Sequence, residues 1–360
     1  MNSIYSPEFN FVGKPIIPKD NAKVHFFREW EATWKNGKKV SCRTIRFAVA
    51  VENNIAFVDL FGQKTDTITY RNADKQIVEI PWEERNKPEV ISSFYPQSRL
   101  YRAALGDDDL SFISAYDMIG WIYQNLPNYD GNISVRGTWK RTQGTNGKWY
   151  DNFEIQRIYD PGKNKQRLLI NADIWYNKDC IDSSLAKDEK RYIINGYIPN
   201  YVNEEKKTMM IAAPFIFDFS KVDMSNENHV QRFNWTNSFV QVKGKTYSHM
   251  NWVIRYQNGA EEKPFDESML TETQRKSIEY GFNTIDDFKP KNNVLGERKT
   301  EMYLTVPDTQ KCPDGVIDSG MTEKEFEQEI YYGMTEDASK AKEEEPEKKA
   351  AGAEDEEDLF

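Results

Sequence analysis

Basic and aromatic residues are interleaved along two stretches of this 360-residue sequence. Residues 23–46 hold seven Lys and Arg against two acids, and residues 136–159 hold five Lys and Arg among five aromatic residues. Cations can follow phosphates, and flat rings stack on unpaired bases for about 1–3 kcal/mol each, so this mixture is typical of surfaces that bind single-stranded nucleic acid. The predicted contact residues are Arg28, Trp34, Lys35, Arg43, Arg46, Arg136, Trp139, Lys140, Arg141, Lys148, Trp149 and Tyr150.

The second stretch gives the more specific geometry. Arg136 and Lys140 are two strand steps apart on one side and are expected to lie along a groove, and Trp139 and Trp149 flank a Gly-rich turn and are expected to reach over it. The competing interpretation is structural, because aromatic residues in strands usually form the core or cross-strand pairs and lysines at hairpin turns are usually solvated. The prediction therefore rests on the cluster and not on any single residue.

The sequence contains no pattern that would support catalysis. It has no phosphate-binding loop, no dinucleotide-binding glycine fingerprint and no histidine pair that could hold a metal. The acids Asp107, Asp108 and Asp109 are interpreted as favourable charges at a helix N-terminus and not as a magnesium site. We therefore expect no enzyme, no catalytic residue, no metal and no cofactor.

Residues 321–360 account for the whole net charge of −10, because they contain fifteen acids and five bases while the remaining 43 acids and 43 bases cancel. Residues 336–360 cannot bury enough apolar surface to offset the entropy of ordering them, so a disordered acidic tail is predicted. Three widely spaced cysteines fit a reducing compartment, and no signal peptide or stretch of eighteen apolar residues is found. A cytoplasmic protein that does not span a membrane is expected.

The first half of the chain is predicted to be rich in strands. Residues 24–34 alternate as a strand with Arg28 and Trp30 on one face, and an Asn36-Gly37 turn connects them to a second strand, residues 39–51. A further strand pair is predicted at residues 55–61 and 65–80. An amphipathic helix is predicted over residues 109–126, and residues 132–141 and 148–159 are predicted to form a second hairpin.

This order of strands, one helix and a final hairpin resembles the OB fold, a five-stranded barrel with a helix between its third and fourth strands. The specific resemblance is Ile133-Ser-Val-Arg-Gly-Thr-Trp followed by Gly147-Lys-Trp-Tyr-Asp-Asn-Phe-Glu-Ile. The fold class expected is mainly β (α+β), an OB-type barrel with β elaborations and a few helices. The OB-like domain is placed at residues 23–160, after a leader of residues 1–22.

Residues 161–320 are predicted to form a second β-rich region, which is either a second barrel or an elaboration of the first. Its strands are expected at residues 168–176, 192–201, 209–219 and 245–256, and a helix at residues 266–280. A last short helix, at residues 321–335, begins with a capping-box pattern formed by Thr322 and Glu325. The acidic tail follows it.

The end of the tail resembles the C-terminal tips of bacterial and phage single-stranded-DNA-binding proteins, in which acids and a final aromatic residue dock on replication and repair enzymes. The corresponding residues are Asp355, Glu356, Glu357, Asp358, Leu359 and Phe360. The tip departs from many bacterial members because it lacks their proline, and the linker before it is rich in Glu, Lys and Ala. The size of the chain is closer to that of the larger phage proteins, so a phage origin is the working hypothesis.

The function expected from these features is sequence-nonspecific binding of single-stranded DNA, and RNA is not excluded, in replication, recombination or repair. The tail is expected to compete with DNA and to recruit partner enzymes in the host bacterial cytoplasm. Two alternatives remain open: a non-enzymatic phage structural or assembly protein, and an adaptor that binds sliding clamps through Asp358-Leu359-Phe360. Oligomeric state is not predicted.

Overall fold

The fold is given by a computed structural model. It describes residues 7–20, 24–34, 37–144, 146–202, 207–263, 270–288 and 294–322, together with Lys324 and Phe326. Strands are the main secondary structure of this part of the chain: they form one 15-stranded sheet and a separate 2-stranded sheet, and there are few helices. The predicted mainly β class is confirmed at this level.

The strands of the N-terminal half are β1 (Glu8–Ile16), β2 (Phe27–Thr33), β3 (Lys39–Val51), β4 (Asn54–Gln63), β5 (Thr67–Arg71), β6 (Ile77–Pro81), β7 (Tyr101–Ala104), β8 (Leu110–Phe112), β9 (Ile133–Gln143) and β10 (Trp149–Tyr159). Those of the C-terminal half are β11 (Arg167–Tyr176), β12 (Ile181–Asp182), β13 (Arg191–Val202), β14 (Lys207–Asp218), β15 (Ser248–Lys263), β16 (Val294–Pro307) and β17 (Ile317–Asp318). The helices are α1 (Pro88–Ser93), α2 (Ala115–Asn125), α3 (Glu227–Val240) and α4 (Glu272–Glu279).

Five strands of the N-terminal half pair in a closed ring, called the first ring: β1, β3, β4, β10 and β9. Each neighbour is antiparallel except β4 and β10, which run parallel and meet at Asp59 and Glu154, and β9 returns to β1 to close the ring. The inward positions of β3 and β4 are apolar and fully buried, as at Ile45, Phe47 and Leu60. Helix α2 lies in the chain between the third and fourth strands of this ring and packs on β3 and β4.

Five strands of the C-terminal half form a second ring with the same order: β11, β13, β14, β16 and β15. Among the described residues, the parallel contact within it joins Ile216 of β14 to Tyr303 of β16, and β15 pairs with β11 to close the ring. Helix α3 again lies between the third and fourth strands in the chain. The two halves of the described chain therefore repeat one strand order, although the sequence shows no repeat.

The two rings share one sheet and one core. Strand β1 pairs with β11, and Asn54 of β4 pairs with Gly259 of β15. Phe11 and Phe153 of the first ring contact Tyr256 of the second, with ring centroids 6.1 and 5.0 Å apart. Because apolar contacts cross the boundary, the rings are held together by core packing as well as by strand pairing.

Several predicted elements agree with the structure and several do not. The hairpin of β2 and β3 and that of β9 and β10 are confirmed. The pairing of residues 55–61 with 65–80 is wrong, because β4 pairs with β3 while β5 and β6 form a separate hairpin. The leader of residues 1–22 is also wrong, because it contains β1, which pairs with β3, β9 and β11 and so belongs to the centre of the sheet.

The helix predicted over residues 109–126 begins later, at Ala115. The Ser114 side chain accepts a hydrogen bond from the backbone N–H of Tyr116 and caps the helix. The acids Asp107–Asp109 therefore do not lie at the helix N-terminus: Asp109 pairs with Arg102 of β7. Helix α4 is likewise shorter than the predicted 266–280 and begins after the Thr271 capping box. The tail and most of the predicted helix at residues 321–335 lie outside the described residues.

Candidate nucleic-acid interface

One outward side of the hairpin β2–β3 and its neighbour β4 carries a group of aromatic and basic side chains, called the outer aromatic face. Its members are Arg28, Trp30, Arg46, Phe57 and Phe61. Directly paired residues in a sheet point to the same side. The pairing of Arg28 with Thr44 and of Thr44 with Phe61 therefore places these strands' ring and guanidinium groups on one surface.

This face points outward because the alternate residues fill the inside of the first ring. Ala56, Val58 and Leu60 of β4 have no exposed surface, so the residues between them must face outward. Phe61 is 53% exposed even though it is apolar. The outward side of β4 therefore presents an aromatic ring to solvent.

The rings and guanidinium groups are close enough to act together. The guanidinium of Arg28 lies 5.3 Å from the centroid of the Trp30 ring, and the Trp30 and Phe61 centroids are 6.1 Å apart. The guanidinium of Arg46 lies 5.0 Å from the centroid of the Phe57 ring. Each basic group is thus held beside a flat apolar ring, an arrangement that offers stacking and phosphate contacts at neighbouring points.

A row of alternating charges crosses the outward side of the first ring. Arg46 of β3 is opposite Asp59 of β4, Asp59 is next to Glu154 of β10, and the ammonium group of Lys140 of β9 lies 2.8 Å from the Glu154 carboxylate. The pKa of Asp59 is raised to about 6, mainly by burial; Glu154 also raises it, while Arg46 and Lys140 lower it. The positive charge of the face is therefore reduced at neutral pH by one carboxylate in its middle.

Trp139 and Arg141 do not belong to this surface, and their prediction as contact residues is wrong. They lie on the inward side of β9, where the Trp139 ring has no exposed surface and donates a hydrogen bond from Nε1 to Asp151 at 3.0 Å. Arg141 pairs with the same carboxylate at 3.2 Å and donates to the Ala212 carbonyl of the second ring at 2.6 Å. Burial raises the pKa of Asp151, while Arg141 lowers it. This group connects the two rings.

Arg43 is also directed away from the outer aromatic face. Its guanidinium lies 3.2 Å from the Glu29 carboxylate and 3.9 Å from the centroid of the Tyr116 ring of α2. The Tyr116 hydroxyl donates to Glu29 at 2.6 Å, and this hydrogen bond is the largest cause of the lowered pKa of Glu29. Arg43 therefore holds α2 against the hairpin, and the structure does not bring it together with the outer aromatic face.

The remaining predicted residues are dispersed. Arg136, Lys140 and Tyr150 lie on the outward side of the first ring, Lys148 is exposed at the β9–β10 turn, and Trp149 packs partly against the core. Arg136 lines a shallow cavity of about 500 Å³ together with Asp107, Asp108, Asp109 and Asp160. Trp34 is 39% exposed at the end of the first hairpin. Lys35 and the tail residues 355–360 lie outside the described residues.

Trp30, Phe57 and Phe61 belong to the outer aromatic face but are not among the residues predicted from the sequence. Trp30 shares the predicted face of Arg28, so its position was available from alternation. Phe57 and Phe61 were not, because every residue from Ile55 to Phe61 except Asp59 is apolar and the inward and outward sets cannot be separated by polarity.

Within the described residues no group of three or more His, Cys, Asp and Glu side chains is arranged to hold a metal ion. A search of the same residues for a helix long and apolar enough to span a membrane finds none.

Comparison with known proteins identifies no family. No protein-family model matches the sequence, and no curated protein matches it. Among solved structures, the chain is similar to a deletion mutant of the single-stranded DNA binding protein from Thermus aquaticus, with 12% identity over 74% of this chain and 98% of that chain. The TM-score is 0.27, and a similarity at that level carries no argument about function.

Proposed function

We propose that the protein binds single-stranded DNA without sequence preference through the outer aromatic face. The observation that carries the proposal is the interleaved set of aromatic and basic side chains on one outward sheet surface. Arg28 and Phe61 are exposed there, and Trp30, Arg46 and Phe57 are partly exposed. Rings stack on any base because every base has a π-face, and guanidinium groups follow the phosphates. Base edges are not read by such contacts, so the binding is nonspecific.

We further propose that each ring is an OB-type barrel, so that residues 8–159 and 167–307 are two such domains. Support comes from the strand order, in which the parallel contact joins the third and fifth strands and a helix precedes the fourth. In OB folds, oligonucleotides bind on the face of the second and third strands. In the first ring these strands are β3 and β4, which carry most of the outer aromatic face.

The acidic tail is part of the same proposal. Its carboxylates compete with DNA for the cationic side chains of the rings, and its tip of Asp358, Leu359 and Phe360 recruits replication or recombination enzymes once DNA displaces it. A phage-encoded protein that acts in the host cytoplasm fits this role. The charge balance supports it, since the acids and bases of the first 320 residues cancel and the tail holds the excess.

Titration of the intrinsic tryptophan fluorescence with oligo-dT tests the proposal. We expect quenching, because Trp30 lies on the binding face, and an affinity that falls as salt rises, by about 0.7 in the logarithmic slope for each phosphate contacted. Double-stranded DNA of equal length is the control and should bind more weakly. Absence of quenching, or an affinity that does not change with salt concentration, would contradict the proposal.

A further inference from the structure

The second ring carries an aromatic group of its own, called the Phe326 cluster. Its members are Trp175 of β11, Tyr197 of β13, Tyr247 and His249 at the start of β15, and Phe326. It is separate from the main core, which fills the inside of both rings. Trp175, Tyr197 and His249 are in strands of the second ring, Tyr247 directly precedes β15, and Phe326 lies beyond these strands in the chain.

The cluster lies on the outward side of the second ring. Trp175 is directly opposite Tyr197 on one neighbouring strand and His249 on the other, so these three side chains share a side of the sheet. The alternate residues Ile174 and Ile198 have no exposed surface and fill the interior. The second ring therefore presents an outward aromatic surface across its first, second and fourth strands.

Phe326 covers this surface. Its ring has no exposed area, stacks on Tyr247 at a centroid distance of 3.8 Å and an angle of 9°, and meets Tyr197 edge-on at 4.9 Å. The C-terminal segment that leads to it pairs with the start of β15, where Ile317 of β17 is opposite His249. The Phe326 side chain, which does not belong to the strands of the second ring, thus occupies a slot between aromatic side chains.

Two buried polar atoms of the Phe326 cluster are unpaired. Nε1 of Trp175 and Nδ1 of His249 are buried and have no hydrogen-bond partner, while the two rings stack at 4.3 Å and 12°. Trp175 is 6% exposed and His249 is 4% exposed, so water does not readily replace a partner. A buried polar atom without a partner is costly, and a phenylalanine ring has no group that could pair with either nitrogen.

A nucleobase has what the phenylalanine ring lacks. It is flat enough to stack between aromatic side chains, and its edge offers donors and acceptors. Cations for an attached phosphate are close along the chain, because Lys178, Lys245 and Lys324 are exposed and lie within three residues of Trp175, Tyr247 and Phe326. The Asn177 side chain donates to the Lys245 carbonyl at 3.4 Å, which brings the segments of Lys178 and Lys245 together.

We propose that the slot between Tyr247, Tyr197 and Trp175 is a second binding site for an unpaired base, and that Phe326 occupies it in the absence of nucleic acid. The inference rests on the proposed function, since it assigns a second contact point for the same ligand. In this arrangement a base must displace Phe326, and the second ring binds more weakly than its aromatic surface alone would allow.

Oligo-dT binding by the full-length Phe326→Ala variant tests this. We expect the affinity to rise about tenfold, because stacking becomes available without displacement. Trp175→Ala in the Phe326→Ala background should abolish the increase. Phe282→Ala, which removes a ring that is 79% exposed, is the matched control and should produce no increase.

A second measurement covers the case in which Phe326→Ala loosens the second ring. Photo-crosslinking of a bromodeoxyuridine oligonucleotide to the wild-type protein at saturation should give adducts on Trp175 or Tyr247 as well as on Trp30. Adducts on Trp30 with none on the Phe326 cluster, or an unchanged affinity in a folded Phe326→Ala protein, would overturn this inference and leave the proposed function intact. Failure of every variant and the wild type to bind oligo-dT would instead remove the proposed function.

Discussion

Arg46 and Asp59 lie directly opposite each other on β3 and β4, in the middle of the outer aromatic face. A carboxylate at this position opposes the binding of phosphates, and its burial is also unfavourable to folding. Its pKa is raised to about 6 from an ordinary value of 3.8, first because of burial. The folded state therefore holds this proton more readily than the unfolded state between about pH 4 and 6, and stability falls as the pH rises through that window.

Asp59→Asn is expected to stabilise the protein at pH 7 by about 1 kcal/mol and to flatten the pH dependence of unfolding between about pH 4 and 6, because the amide cannot ionise. It should also tighten oligo-dT binding at pH 7 by removing a negative charge next to the phosphates. Urea denaturation and fluorescence titration at two pH values check both effects. Asp74→Asn, an exposed acid in the β5–β6 turn, is the control. A less stable Asp59→Asn protein at pH 7 would mean that the attraction of Arg46 outweighs the burial.

Phe61→Ala is expected to weaken oligo-dT binding by about 1–3 kcal/mol if the ring stacks on a base. Because the ring is 53% exposed, the free energy of unfolding should change by less than about 0.5 kcal/mol. Ile77→Ala, which removes an apolar side chain that is 74% exposed on the β5–β6 hairpin, is the matched control and should leave binding unchanged. Equal affinities for the wild type and Phe61→Ala would exclude this ring from the interface.

Local alternation in the sequence predicts which side of a strand a residue is on, as strand β9 shows. The prediction that Arg136 and Lys140 share one side of their strand is confirmed, and the residues Ile133, Val135 and Trp139 that alternate with them are buried. The prediction of Trp139 as a contact residue is wrong because successive residues of a strand point to opposite sides, and Trp139 is on the side that fills the interior of the first ring.

Other features depend on contacts between residues far apart in the chain. Strand β1 was predicted as a leader because Gly13 and several prolines follow or interrupt its pattern, yet it pairs with three strands whose partner residues lie more than thirty positions away. The two rings have the same strand order but no detectable sequence repeat. Each strand needs apolar residues at its inward positions, and several residue types can fill those positions. The position of Phe326 against β13 and β15 was likewise not available from local pattern.

Arg141→Ala is expected to destabilise the protein by about 3–5 kcal/mol, because it leaves the buried Asp151 carboxylate without its cation and removes the contact to the Ala212 carbonyl. DNA binding by the folded protein should be unaffected. For Arg28→Ala we expect the opposite. That side chain is exposed on the outer aromatic face, so the variant should bind oligo-dT more weakly and unfold with unchanged stability. Thermal unfolding and fluorescence titration of both variants distinguish a structural arginine from a binding one.

Deletion of residues 336–360 is expected to tighten oligo-dT binding at low salt and to have little effect at high salt, because the tail's carboxylates compete with phosphates through screened charge interactions. Phe360→Ala keeps those carboxylates, so it should bind DNA as the wild type does but fail to retain replication enzymes in a pull-down with the terminal peptide. A deletion that leaves the low-salt affinity unchanged would show that the tail does not compete with DNA.

Gly259→Ala tests whether the contact between the rings depends on close backbone approach. A Cβ atom at Gly259 would lie 2.0 Å from the Asn53 carbonyl oxygen, which is backbone and cannot rotate away. We expect the substitution to separate β15 from β4 locally and to cost about 1–3 kcal/mol of stability. Gly244→Ala is the control, since the atom nearest to its added Cβ would be the Thr246 hydroxyl at 3.3 Å, at the end of a side chain that can move.

Urea denaturation should show one transition at lower urea for Gly259→Ala, or two transitions if the rings then unfold separately. Wild-type stability in Gly259→Ala would mean that core packing through Phe11, Phe153 and Tyr256 holds the rings together without this strand contact.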